Sequence, residues 1–376
     1  MTSAISRLIG STGISGLTVP QAVMIAVSFL LIYLGIKKRF EPLLLVPIAF
    51  GMFLANLPFA GLMDPQKGET AGGLLWYFYQ GNALGIWPPI VFAGIGAMTD
   101  FGPLIADPKS LFLGAAAQLG IFITFIGAIL LGFTSQQAAS IGIIGGASGP
   151  TVIWLASKLS IELLGPIAVA AYSYMALVVI IQPPIMLALT TEKERRVKME
   201  QLRPVSQTEK IIFPILVTLV VSLIVPPSAM LVGMLMLGNL LKEALVVERL
   251  KDTVSNALMN AVILFLGLAV GASATADKFL KVQTLLIIAL GLVAFAGGTA
   301  AGVLLAKLMN WLSGGRVNPL IGGAGVSAIP MSARVAQQMA TRACPGNFIL
   351  MQAMGPNVAG AVGAAVAAGV LLALLQ

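Results

Sequence analysis

The segment Ile141 to Thr151, IGIIGGASGPT, constrains this chain more than any other. It places Gly145, Gly146, Gly149 and Pro150 inside a run otherwise apolar enough to lie in a bilayer. Glycine costs a helix about 1 kcal/mol relative to alanine, and proline removes a backbone donor and clashes with the preceding turn. The pattern therefore predicts a helix that breaks at Gly145 and restarts near Pro150. A break at membrane depth frees amides and carbonyls that lipid cannot satisfy, so it must be buried in protein or line a polar cavity. A second such segment, Asn318 to Pro330, NPLIGGAGVSAIP, adds Gly322, Gly323 and Gly325 far downstream. Two glycine-interrupted apolar segments in separate halves are the sequence pattern of a binding site in a transporter built from repeats.

A membrane location needs the rest of the chain to agree, and it does. Of 376 residues only 10% are charged and 58% are hydrophobic, against about 25% charged in soluble domains. Basic residues exceed acidic ones 22 to 14, an excess read here as cytoplasmic-loop bias and lipid headgroup contact, not nucleic-acid binding. Histidine is absent and Cys344 is the single cysteine, which removes the commonest general base, an internal disulfide and a multi-cysteine metal site. No GxxxxGK[ST] motif is present, so energy must come from a partner's chemistry or an ion gradient.

Apolar runs near the length of a spanning helix predict an all-α polytopic membrane protein with about ten to twelve membrane segments, some re-entrant. Val282 to Leu312 reads as one such run interrupted at Gly297-Gly298, and Arg334 to Asn347 as a polar, hairpin-like stretch. The loop from Thr190 to Lys210 carries six basic and four acidic residues and is placed in the cytoplasm. It separates a first membrane half, 1–190 with the broken segment 141–151, from a second, 211–376 with the broken segment 318–330; the charged loop between them covers 191–210. Polar groups within the spans are few: Ser148 and Thr151 beside the first break, Asn318, Ser327 and Ser332 around the second, and Tyr172, Ser173 and Tyr174 on the span after the first. With carbonyls freed at the glycines they would make a mostly neutral oxygen cage, suited to a hard cation such as sodium. The competing reading is tight helix packing at the glycines, with the serines bonded to their own helices.

The stretches GAMTDFGPLIADPKSLFLGAAAQLGIF, IGIIGGASGPT, AVAAYSYMALV, IQPPIM and NPLIGGAGVSAIPMSARV, followed by MGPNVAG, resemble the beta subunit of the sodium-pumping, biotin-dependent decarboxylases. The resemblance runs from Phe40 almost to the end. It implies a membrane subunit that decarboxylates carboxybiotin and couples this to sodium export and proton uptake. Asn318, Ser327 and Ser148 would then be sodium-binding, with Gly322 allowing close backbone approach. Tyr174 would donate or relay the proton, and Arg334 would hold the carboxylate, as a planar guanidinium does well. One position departs: the family pattern GGADGPT has an aspartate where this chain has Ser148. A serine offers an oxygen without charge, so sodium is expected to bind more weakly and full coupling does not carry over from the family at this position; the sequence offers Asp100 as the nearest alternative carboxylate.

The resemblance further implies partners: a carboxyltransferase alpha subunit, a biotin carrier (this chain has no MKM-type biotin-lysine motif), a small single-span gamma subunit and further copies of this chain, in the bacterial inner membrane. The missing insertion near Met63 to Gly72 leans towards an acyl-CoA substrate such as methylmalonyl-CoA or glutaconyl-CoA. The alternative is a secondary ion or small-anion transporter without chemistry of its own; Arg334 with Tyr174 is what separates the two readings.

Overall fold

The computed structural model describes residues 12–39 and 41–376. Regular structure among these residues is helical, and no strand is present. The principal helices are α1 (Val19–Lys37), α2 (Pro42–Ala55), α3 (Leu74–Ala83), α4 (Trp87–Met98), α5 (Ser110–Leu130), α6 (Ser135–Gly142) and α7 (Gly149–Leu159). After them come α8 (Leu164–Leu189), α9 (Gln207–Ile224), α10 (Ala229–Glu243), α11 (Met259–Ala272), α12 (Val282–Leu312), α13 (Met331–Ala343) and α14 (Leu350–Leu375). Six helices are long and apolar enough to cross a bilayer, and eight if two bent pairs each count as one crossing. One bent pair is α3 with α4, which turn by 72°. The protein is a multi-pass, all-α membrane protein.

Local chemistry fixes the helix ends. Thr18, Thr134, Thr191 and Ser206 each form a capping box with the glutamine or glutamate three residues on, which satisfies two orphan amides reciprocally. The outward faces of α1 and α9 are apolar, with Phe29, Leu30, Leu216, Leu219 and Leu223 exposed, as a bilayer requires.

The centre is held by glycine crossings. A Cβ on Gly51 would lie 2.3 Å from the Leu268 carbonyl oxygen, and one on Gly271 would lie 1.8 Å from that of Ile48, so α2 and α11 touch backbone to backbone. The pair α4 and α10 repeats the device: Gly96 against the Leu235 oxygen and Gly238 against that of Ala93, each at 1.9 Å. Such small residues let helices pack by dispersion where lipid supplies no hydrophobic drive.

Two segments enter the membrane and turn back. Gln137, at the start of α6, donates to the Glu162 carboxylate just beyond α7 at 3.1 Å, and neighbouring Gln136 donates to the carbonyl of Leu375. Both ends of the α6–α7 hairpin therefore lie on one face, opposite the charged loop. The second hairpin, residues 318–347 with α13 as its returning arm, is anchored on the other face. There Asn318 donates to the carbonyls of Arg195 and Val197 at 3.0 and 2.9 Å, and Asn347 donates to that same Val197 oxygen at 3.0 Å. This is the face that carries the charged loop.

Two expectations are corrected here. Val282–Leu312 is one continuous helix: no proline lies within it, and Gly298 admits α5, since a Cβ there would sit 2.7 Å from the Ala117 carbonyl oxygen. The stretch after Pro330 is the helix α13, whose buried residues Ser332, Val335, Ala336, Met339 and Ala340 recur at helical spacing.

Candidate functional site

The tips of the two hairpins meet beside α12. A Cβ built on Gly298 would lie 3.5 Å from both the Gly145 carbonyl oxygen and the Val326 side chain. In the first hairpin α6 tightens into a 3₁₀ turn over Ile143–Gly146, then Ala147 takes the left-handed region at φ 51° before α7 begins at Gly149. In the second, a single turn over Leu320–Gly323 gives way to irregular backbone through Ala328.

The glycines of both breaks are packing residues in this arrangement. Added Cβ atoms would fall 2.6 Å from Gly120 at Gly145, 2.9 Å from Ala364 at Gly146, and 2.3 Å from the Tyr172 ring at Gly149. At Gly322, Gly323 and Gly325 they would meet the Gly302 oxygen at 2.0 Å, the Met186 methyl at 2.1 Å and the Leu113 oxygen at 2.6 Å. Close approach is thus used by neighbouring helices, which bring polar side chains to the freed backbone.

Those side chains are amides. Asn357 of α14 donates to the carbonyls of Ala324 and Val326 at 2.8 and 3.1 Å. Gln182 of α8 donates to the Gly323 carbonyl at 2.9 Å, and Gln118 of α5 to those of Gly114 and Gly360 at 3.0 and 3.2 Å. Each amide spends its N–H groups, Gln182 partly on the Thr299 hydroxyl at 3.4 Å, and keeps its oxygen: Gln118 Oε1, Gln182 Oε1 and Asn357 Oδ1 are buried without a partner among the described residues, as is Ser332 Oγ. An unsatisfied buried oxygen costs about 1–3 kcal/mol; Gln118 Oε1 lies beside Gly146 of the first break, and Gln182 and Asn357 reach the second. No group of three histidine, cysteine or acidic residues able to hold a metal exists among the described residues.

The residues singled out from sequence are placed as follows. Ser148 and Thr151 are buried and bonded hydroxyl to hydroxyl at 2.7 Å. Ser327 is buried at the second break, and its hydroxyl makes no hydrogen bond among the described residues. Asn318 lies at the foot of that hairpin, its amide committed to the charged loop and its oxygen accepting from the Leu320 amide at 3.1 Å. The Tyr174 hydroxyl donates to the Ile288 carbonyl of α12, and its ring packs on Phe295.

Arg334, on α13, faces a chamber of about 530 Å³ whose walls include Pro150 from the first hairpin, Ile329 and Pro330 from the second, Tyr172, Asp100 and Glu41. Its guanidinium makes no hydrogen bond or ion pair among the described residues. Burial pushes the Glu41 carboxyl above the usual carboxylate range, an effect that the Arg334 charge opposes. Asp100 accepts from the Gly102 amide and lies 3.9 Å from Lys210. Asp100 also lines a second cavity of about 610 Å³ under the charged loop, with Arg203, Lys210, Gln352 and Phe348, so the chamber adjoins the face of that loop.

The family model for the sodium-transporting oxaloacetate decarboxylase beta subunit matches residues 20–375. The chain belongs to that family. It is 62% identical to the methylmalonyl-CoA decarboxylase subunit beta of Propionigenium modestum, over all of both chains. It is 55% identical to the glutaconyl-CoA decarboxylase subunit beta of Acidaminococcus fermentans, covering 99% of this chain and 98% of that one. With the oxaloacetate decarboxylase beta chain of Klebsiella pneumoniae the identity is 51%, covering 98% of each. Family members are membrane components of sodium-transporting decarboxylases, and the subunit name implies a multi-subunit complex. Membership accords with the multi-pass architecture and places the chain in the bacterial inner membrane.

Sequence reading missed Gln118, Gln182 and Asn357. Gln182 and Asn357 stood within matched motifs, IQPPIM and MGPNVAG, and Gln118 within GAAAQLG; a polar amide in an otherwise apolar span was the available signal.

Proposed function

We propose that this chain decarboxylates carboxybiotin, brought on a partner's biotin carrier, and couples the reaction to sodium export and proton uptake. The observation that carries the reading is the unpaired Arg334 in a chamber walled by both hairpins. A planar cation with its donors uncommitted suits a carboxylate, and a chamber of about 530 Å³ is of ligand-site size. Pro150 and Pro330 link that chamber to the two breaks, so a reaction at Arg334 abuts the segments that would hold the ion.

Sodium is the cargo. Ser148, Ser327 and the break carbonyls would bind it, together with the spare oxygens of Gln118, Gln182 and Asn357. Asn318 and Gly322 would act on the same site by holding the hairpin foot and its crossing with α12. Tyr172 and Tyr174 divide the work proposed for tyrosine: Tyr172 faces the chamber, and Tyr174, bonded to α12, would relay a proton between helices. Ser148 in place of aspartate leaves the ion site neutral, and weaker sodium activation is the expected consequence. Exporting one sodium ion against 100 mV takes about 2.3 kcal/mol, a load that a decarboxylation can carry once or twice.

The proposal includes the complex: a carboxyltransferase alpha subunit, a biotin carrier, a single-span gamma subunit and further copies of this chain. It also includes the division into 1–190, 191–210 and 211–376, supported by hairpins entering from opposite faces and by the matching α2–α11 and α4–α10 crossings. The substrate leans to an acyl-CoA. The acyl-CoA-type relatives align over 393 and 372 residues, and the oxaloacetate-type one over 425, which fits an extra segment in the latter. The test is sodium-dependent decarboxylation of the carboxylated carrier by the assembled complex. Arg334→Gln is expected to abolish it while sodium still protects the protein from thermal unfolding. Full activity in that variant would remove Arg334 from the carboxylate site, and absence of carrier-dependent decarboxylation in the wild-type complex would favour the transporter alternative.

A further inference from the structure

Glu41 stands across the chamber from Arg334 and is the one acidic group there with no cation in contact. Its backbone φ is 37°, in the left-handed region, and it precedes α2 directly; nothing in a helix start requires a non-glycine residue to adopt that conformation. Its carboxylate makes no hydrogen bond or ion pair among the described residues, and neither does the Arg334 guanidinium. The two opposite charges share the chamber without touching, which leaves room for something between them.

The remaining groups facing that space are few. Asp100, at the end of α4, is bonded to the Gly102 amide and has Lys210 behind it. Tyr172 contributes a hydroxyl from α8, and α11 contributes only Met259, Ile263 and Leu266. Lys37, Lys38 and Arg39 lie on Glu41's own connection and do not line the chamber. With the chamber empty of ligand, Arg334 and Glu41 balance each other. A carboxylate seated on Arg334 neutralises the one cation that favours ionised Glu41, and adds a like charge beside it. Both changes drive Glu41 to bind a proton.

This argument rests on the carboxybiotin reading above. We propose that Glu41 is a proton-accepting positioning residue: it takes up one proton as a carboxylated ligand binds Arg334, and holds it in the chamber until decarboxylation. The balance is simple. Decarboxylation breaks the bond between ring nitrogen and carboxyl carbon, releases CO₂ and leaves the electron pair on nitrogen, which needs one proton. The proton bound at Glu41 passes by way of the chamber to that nitrogen, leaving Glu41 a carboxylate, so one proton is bound and one consumed per turnover.

The test uses the assembled complex and a chemically carboxylated biotin carrier, with a pH-indicator dye in weakly buffered rapid mixing. Wild type should take up about one proton per carrier before CO₂ release. Its KM should rise by up to about tenfold per pH unit above the Glu41 pKa. Glu41→Gln should bind at all pH values with a flat KM profile, lose the early uptake and show a lower kcat; Glu41→Asp should restore both pH effects. If Glu41→Gln keeps the early uptake and the sloping profile, the inference is overturned. Arg334→Gln separates this from the parent reading: binding that survives its loss overturns the carboxylate site itself. Sodium-dependent thermal protection, retained in all three variants, shows that each is folded.

Discussion

The two hairpins have the same shape and opposite upkeep. The first, α6–α7, meets its own needs: its tip is closed by a hydroxyl pair, Ser148 with Thr151, and by helices pressed against its glycines. The second depends on others. Its foot hangs on the charged loop through Asn318 and Asn347, and its tip carbonyls are met by Asn357 and Gln182 from α14 and α8. The second also carries Arg334, whereas the chamber takes only Pro150 from the first. Polar capacity at the proposed ion site is therefore lent to one hairpin by its neighbours, and the other contributes little beyond two hydroxyls.

The largest effect is expected where the second hairpin crosses α12. Gly302→Val would drive a side chain into the Gly322 carbonyl oxygen, 2.1 Å from the first added carbon. A loss of about 3 kcal/mol or more should appear as failed assembly or a lowered unfolding temperature. Gly233→Ala, whose new methyl would meet only the Thr218 methyl at 3.8 Å, should be near neutral in the same assay. Asn357→Leu comes next. It strands two carbonyls, at about 1–3 kcal/mol each, and should weaken sodium activation at least tenfold. If it leaves sodium activation unchanged, the borrowed amides are structural only and the contrast between hairpins loses its functional meaning.

Ser148→Asp would make the first hairpin an equal contributor. Sodium activation should shift to about tenfold lower concentration and become pH-dependent, and stability without sodium should fall because an unpaired buried carboxylate is costly. Thr151→Val removes only the serine's partner and should cost about 1 kcal/mol, with a shift in sodium dependence smaller than that of Asn357→Leu. The smallest effect belongs to Glu41. Its folded pKa is raised by burial above 4.5, so the stability it contributes is present below that value and is lost as pH rises through the folded pKa. Unfolding scans of wild type against Glu41→Gln should diverge in that direction.

Most helix positions were legible, because lipid demands long apolar runs and proline and glycine punctuate them. The function of a glycine was not. Gly145 and Gly298 look alike in sequence and both face the backbone of α5, yet one lies in a break and the other in an unbroken helix; the proline that follows the first, Pro150, has no counterpart soon after the second. Hairpin direction was equally hidden, since it is set by Gln137 with Glu162 on one face and by Asn318 with Val197 on the other. Tyr172 and Tyr174 show the same limit at finer scale. Two residues apart on a helix, they point about 200° from each other, and no local pattern says which one meets the chamber. Arg334 was legible through its motif; Glu41 was not, because nothing near it in sequence reveals that it and α13 share a cavity.

Both feet of the second hairpin bind the same carbonyl oxygen, that of Val197. The Asn318 amide also reaches the Arg195 carbonyl and Arg196 donates to that of Ala343, so three consecutive residues of the charged loop staple the two legs together. A displacement of residues 195–197 would therefore move both legs as one body, with Arg334 on the returning one. The charged loop is, in that sense, the handle by which the whole returning arm is held.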